Sequence, residues 1–187
     1  MKKILLTLVF ILCALGTAGA TVYTVTDKTQ FTYCGTIDEG DYVSHGWGDV
    51  NRLDGMSDYV RWNHRFSFDP PADQLLSATL TISLFDDSGE GDGGLLGWRN
   101  EYAFGWAESG QWELGEVDTG EFTYGIVNLS FLSDGIFQVT IASLYGDFYI
   151  DRSLLTVNYT PVPEPTTILL VGSGLIGLAT FRRKLYK

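Results

Sequence analysis

Residues 78–84 read Ala78-Thr79-Leu80-Thr81-Ile82-Ser83-Leu84, with apolar and polar side chains in strict alternation. A β-strand sends successive side chains to opposite faces, so this stretch reads as a strand with one dry face and one wetter face. The same period returns at Phe137-Gln138-Val139-Thr140-Ile141 and at Leu155-Thr156-Val157-Asn158-Tyr159-Thr160. It also returns at Val127-Asn128-Leu129-Ser130-Phe131, which reads as a further strand. Val22–Thr26, Phe31–Gly35, Tyr59–Phe68 and Asn100–Trp106 are additional strand candidates. Between 21 and 160 there is no convincing helical stripe. Asp69-Pro70-Pro71-Ala72 and Asp134-Gly135 mark turns. About eight short strands with Gly and Asp turns predict an all-β ectodomain over 21–160, an antiparallel, jelly-roll-like β-sandwich.

Both ends differ from this middle. Residues 1–20 combine basic Lys2 and Lys3, a short apolar run Ile4–Leu15, and the small-residue pattern Ala18-Gly19-Ala20. That is the layout of a secretory signal peptide, with Ala18 and Ala20 as cleavage residues and Thr21 as the first mature residue. A signal peptidase and the general secretion machinery are the implied partners. Cys13 follows Phe10-Ile11-Leu12 rather than a small residue, which argues against a lipoprotein.

Residues 161–187 hold Pro163-Glu164-Pro165, then a charge-free apolar run of sixteen residues, Thr166–Phe181, then Arg182, Arg183 and Lys184. As a helix the run would measure roughly 24 Å, a short transmembrane span for a hydrocarbon core of about 30 Å. The basic cluster is the cytoplasmic stop, which leaves everything before it outside. Gly172-Ser173-Gly174-Leu175-Ile176-Gly177 matches G-x-G-x-x-G, but no βαβ unit surrounds it, so a nucleotide site is excluded. Small residues there suit close approach of a second membrane helix.

The motif, the short Gly-containing helix and the basic stop together resemble the PEP-CTERM sorting signal. That resemblance implies recognition of Pro163, Glu164 and Pro165 by an exosortase, a membrane-embedded thiol transpeptidase. It implies an exporter of extracellular polysaccharide among Gram-negative bacteria. The protein would be held transiently in the inner membrane with its ectodomain in the periplasm, then reach the cell surface or extracellular matrix. The two prolines hold an extended segment outside the membrane, with Glu164 as its acidic handle. Thr160–Pro165 reads as a short stiff linker. The stretch from Asp134-Gly135 through Gly146-Asp147-Phe148 to Ser153-Leu154 is similar to the closing strands of sandwich ectodomains in such proteins, and this similarity carries no activity.

The chain has 12 Lys plus Arg against 23 Asp plus Glu. Residues 21–165 keep only six cations, Lys28, Arg52, Arg61, Arg65, Arg99 and Arg152, against all 23 acids, a net charge near −17. Nucleic acid is excluded as a partner, because phosphate contacts need clustered cations. Cys34 is the sole cysteine after residue 20, so no internal disulfide forms; it reads as a small buried hydrophobe.

Candidate chemistry in the middle is sparse. Asp86-Asp87-Ser88-Gly89-Glu90-Gly91-Asp92 places carboxylates among glycines, and Asp86, Asp87, Glu90 and Asp92 form a candidate calcium loop. It is not an EF-hand, because Gly97 stands where the bidentate Glu belongs. No other cofactor is implied. Trp98, Trp106 and Trp112 lie near Gly-rich turns and are candidate stacking platforms for extracellular polysaccharide, while Trp62 reads as half buried. His45 and His64 have no metal-pair spacing, and no H-E-x-x-H, G-x-S-x-G or Cys-x-x-Cys occurs. A Cys34–His64 dyad is the one formal nucleophile pair. No catalytic residue is assigned. The expectation is a non-catalytic exported surface or matrix protein. The alternatives are a carbohydrate-binding module and a secreted hydrolase with a carboxylate pair.

Overall fold

The computed structural model describes residues 21–37, 41–55, 57–86, 101–108, 110–117 and 119–163, together with positions 171, 172, 174, 175 and 178. The expected signal peptide with Ala18 and Ala20, the basic stop Arg182-Arg183-Lys184 and most of the expected C-terminal helix lie outside them. Those last five positions have helical backbone, and among the described residues no helix is long and apolar enough to cross a membrane.

The described strands run in the order β1 (Tyr23–Thr32), β2 (Gly35–Thr36), β3 (Tyr42–His45), β4 (Arg52–Asp54), β5 (Tyr59–Arg65), β6 (Ala72–Asp86), β7 (Tyr102–Ala107), β8 (Gly110–Glu116), β9 (Gly120–Gly125), β10 (Ile136–Tyr145) and β11 (Asp147–Pro161). One antiparallel sheet has the order β2-β1-β11-β6-β9, with β4 also paired to β11. The other has the order β3-β5-β10-β7-β8. The two sheets form the expected antiparallel sandwich.

The alternating stretches face inward as their period requires. Ala78, Leu80, Ile82 and Leu84 of β6 and Leu155, Val157 and Tyr159 of β11 are buried. Opposite them lie Val60 and Trp62 of β5 and Phe137, Val139 and Ile141 of β10, also buried. Each such side chain contributes about 1.5–3 kcal/mol by leaving water. β6 and β11, fifteen residues each, pair from Phe148↔Asp86 to Pro161↔Ala72 and form the spine of the first sheet.

Five expectations are corrected. Phe31–Gly35 is not one strand: Phe31 and Thr32 end β1, Tyr33-Cys34 turn, and Gly35 opens β2. Val127–Phe131 is not a strand: Leu129–Leu132 is a 3₁₀ turn, Val127 is 94% exposed and Leu132 is the buried residue. Asn128 Oδ1 accepts bonds from Ser130 N at 3.2 Å and from Ser130 Oγ at 2.7 Å. These local bonds compete with a sheet ladder and win. Trp62 is fully buried rather than half buried, because its inward row places it edge-on against Phe31, with ring centroids 5.0 Å apart. Cys34 is exposed, because the chain reverses between β1 and β2 at Tyr33-Cys34 after Phe31 has taken the inward position. The linker starts later than expected. Thr160 pairs with Gln74 and Pro161 with Ala72, and Val162 N donates to Pro71 O at 2.8 Å.

Candidate functional site

Three strands of the second sheet build an open groove on its outer face. Thr140 of β10 is paired with Arg61 of β5 on one side and Trp106 of β7 on the other. The next row of that face sets Ala142 between Tyr59 and Phe104. Paired residues of antiparallel strands point to the same side, so large side chains on two strands flank small ones on the strand between. The small floor is buried, with Thr140 and Ala142 at 7% and 6% exposure, while Trp106 keeps 41%. With strands about 4.8 Å apart, the wall backbones stand roughly 10 Å from each other. The groove encloses about 550 Å³; Ser57, Glu108, Gln138 and Leu144 complete its ends and floor.

The walls are held by specific contacts. Trp106 meets Phe104 edge to face, with centroids 5.0 Å apart. Arg61 Nε donates to Thr140 Oγ1 at 3.1 Å, and its guanidinium carbon lies 5.8 Å from the centre of the Tyr59 ring. These contacts orient the guanidinium as well as its charge. Chemically the groove offers an aromatic face, a cation, an amide and a hydroxyl along one shallow track, the mix that polyhydroxylated rings bind.

A buried carboxylate shapes the β3 edge of this face. Asp58 accepts bonds from the backbone N–H groups of Trp47 and Tyr59 at 3.0 Å and Asp54 at 2.9 Å. A Cβ at Gly46 or Gly48 would lie 2.1 Å or 2.4 Å from an Asp58 oxygen, so only glycine permits this approach. The same loop carries Trp47, 69% exposed, with its indole N–H bonded to Asp54 O at 3.0 Å. Gly46 N donates to Tyr59 O at 2.7 Å, while the Trp47 indole is tied to β4 through Asp54.

A second polar cluster lies between the sheets. His64 Nδ1 is 2.8 Å from Asp27 Oδ2, His64 Nε2 is 2.8 Å from Ser153 Oγ, and Trp62 Nε1 donates to His64 Nε2 at 3.2 Å. An indole N–H only donates, so Nε2 accepts and the ring proton sits on Nδ1. The order Asp-His-Ser is that of a hydrolytic triad. Here, however, His64 and Ser153 have no exposed surface, so Ser153 Oγ has no approach for a substrate. The cluster links β1 and β11 of one sheet to β5 of the other. It also disposes of the Cys34–His64 dyad, since His64 is committed inside and Cys34 lies outside.

The expected site residues are scattered. Asp86 ends β6, with its Oδ1 buried and without a hydrogen-bond partner among the described residues. Asp87, Glu90, Asp92 and Trp98 lie outside the described residues. Among the described residues no group of three His, Cys, Asp or Glu is placed to hold a metal ion. Trp106 is in the groove wall. The backbone of Trp112 pairs with Gly105, and its side chain is outside the described atoms. Pro163 is exposed, and Glu164 and Pro165 lie outside the described residues. Tyr59, Arg61 and Trp47 were not singled out by sequence, although the alternation around buried Trp62 already puts Tyr59 and Arg61 on the opposite face.

Elsewhere two cations are paired. Arg52 bonds Asp147, and that bond holds its guanidinium above the ordinary arginine range. Arg152 bonds Glu121 with the same sense of shift.

Comparison with known proteins gives one family match. Residues 161–184 match the PEP-CTERM protein-sorting motif. The chain thus carries that motif, which implies an exported protein processed by an exosortase. No curated protein matches the chain. Among solved structures, the C-terminal CBM6 of LamC, a marine laminarinase from Zobellia galactanivorans, is similar at 12% identity and TM-score 0.41, over 71% of this chain and 99% of that one. A carbohydrate binding module of Cellvibrio mixtus lichenase 5A, in complex with cellotriose, aligns at 10% identity and TM-score 0.35, over 68% and 94%. The xylan-binding module CBM15 aligns at 10% identity and TM-score 0.35, over 74% and 97%. These are similarities of architecture, and no residue role is carried across from them.

Proposed function

We propose that this chain is a non-catalytic exported protein of a polysaccharide-producing Gram-negative bacterium. It is held briefly in the inner membrane with its sandwich in the periplasm. An exosortase cuts it at Pro163-Glu164-Pro165 and passes it to the cell surface or extracellular matrix. The observation that carries this reading is the position of the motif. The matched segment 161–184 begins inside the end of β11, and Val162 makes the bond to Pro71 immediately before Pro163. Cleavage at the motif therefore leaves the fifteen residues of β11 in place. The test is Glu164→Ala in a producing cell. Export should persist, and an unprocessed, membrane-held form should accumulate. The wild-type mature C-terminus in the variant would overturn the reading.

A second reading, polysaccharide binding by the same exported sandwich, is favoured by the groove on the outer sheet face. Trp106, the exposed wall, stacks on a sugar ring, and Gln138 and Thr140 hydrogen-bond its hydroxyls. Trp106→Ala should lower affinity for a bound glycan at least about tenfold, with the fold unchanged, because aromatic platforms carry a large share of binding energy. Unchanged affinity would remove the groove from the account.

A further inference from the structure

We propose that the groove selects an acidic polysaccharide, a polyuronate, with one carboxylate on Arg61 and an adjoining sugar ring on Trp106. This rests on the polysaccharide-binding reading of the face and names its ligand class.

The argument starts from charge. Six cations share residues 21–165 with 23 acids, so a cation without a carboxylate partner is the unusual case. Arg52 and Arg152 have such partners in Asp147 and Glu121. Arg61 is exposed, and among the described residues no carboxylate pairs with it. Its contacts, Thr140 Oγ1 through Nε and the Tyr59 ring, engage one edge and one face of the guanidinium. They fix its plane and leave the two terminal nitrogens for a ligand, the fork geometry that a carboxylate matches. Arg65 lies four residues further along the same face of β5, beyond the groove lining, so Arg61 is the cation of that lining.

The opposing effect is the net charge near −17, which repels a polyanion at long range. Salt at physiological strength screens exposed charges beyond about 8 Å, whereas a contact pair in the groove is screened much less. Local contact therefore decides. Glu108 is the one acid of the lining, in the turn that follows Trp106 and Ala107 at the end of β7, so it stands on the wall opposite Arg61. The groove is thus polarised across its width. A carboxylate is favoured on the β5 side and hydroxyl donors on the β7 side.

The experiment measures binding of the full chain, purified in detergent, to polygalacturonate, polyglucuronate and alginate, each beside its carboxyl-reduced counterpart. The wild type should bind at least one polyuronate about tenfold or more tighter than its reduced form, the worth of one charge-assisted bond. Arg61→Gln should abolish that preference, weakening binding of the acidic polymer much more than that of its reduced counterpart. Arg61→Lys should retain part of it, and Trp106→Ala should weaken both polymers. Equal affinity for acidic and reduced polymers, or equal weakening of both by Arg61→Gln, would overturn the acidic ligand and leave the groove as a neutral-sugar site. Binding that neither variant changes, or no binding to any polymer, would overturn the groove reading as well.

Discussion

Replacing His64 with leucine removes the polar link between the two sheets at nearly constant volume. The indole N–H of buried Trp62 then loses its acceptor at Nε2. A buried donor left unpaired costs about 1–3 kcal/mol. Ser153 shares that one acceptor with the indole, so the two losses overlap rather than add. Asp27 loses a charge-assisted bond worth about 1.5–3 kcal/mol. Its side chain is 19% exposed, and water recovers part of that loss. The sum is about 2–5 kcal/mol of destabilisation, a large part of a typical domain's stability. Urea titration followed by tryptophan fluorescence measures it. Ser153→Ala alone should cost about 1 kcal/mol, and the double variant should fall short of the additive value by roughly that amount, because the two residues share one bond. An H64L variant within about 0.5 kcal/mol of wild type, the range of an ordinary surface substitution, would refute the reasoning. So would strict additivity.

Two further predictions follow from other parts of the fold. Asp58→Ala strands three backbone N–H groups that one carboxylate now serves; it should cost at least about 3 kcal/mol by urea titration, and it should release Trp47, seen as a red shift in native fluorescence. A loss under about 1 kcal/mol would mean that water replaces the carboxylate. Cys34, exposed in its turn, should react stoichiometrically with a thiol reagent in the native protein without denaturant; protection of the thiol until unfolding would restore the buried reading.

The inward faces of β6, β10 and β11 were legible because burial of one sheet face imprints a period of two on the residues themselves. Val127–Phe131 has the same pattern and folds otherwise. There the deciding interactions are the Asn128 side-chain bonds, which an apolar–polar alternation does not encode. The Asp27–His64–Ser153 cluster joins residues 37 and 89 positions apart, a closeness that only strand order supplies. The groove was hidden for a similar reason. Thr140 and Ala142 become a floor only when β5 and β7 set Tyr59, Arg61 and Trp106 on either side. The sorting motif needed no partner from elsewhere in the chain, because its signal is local, and it is the part matched by a family model.

The central claim concerns the fate of the two ends. Intact-mass analysis of native protein recovered from the cell surface and the medium tests it most directly. The account predicts a chain that starts at Thr21, keeps all of β11 and stops at Pro163-Glu164-Pro165, with any acceptor visible as added mass. A mass that includes Thr166–Lys187 in the surface or released protein would contradict it.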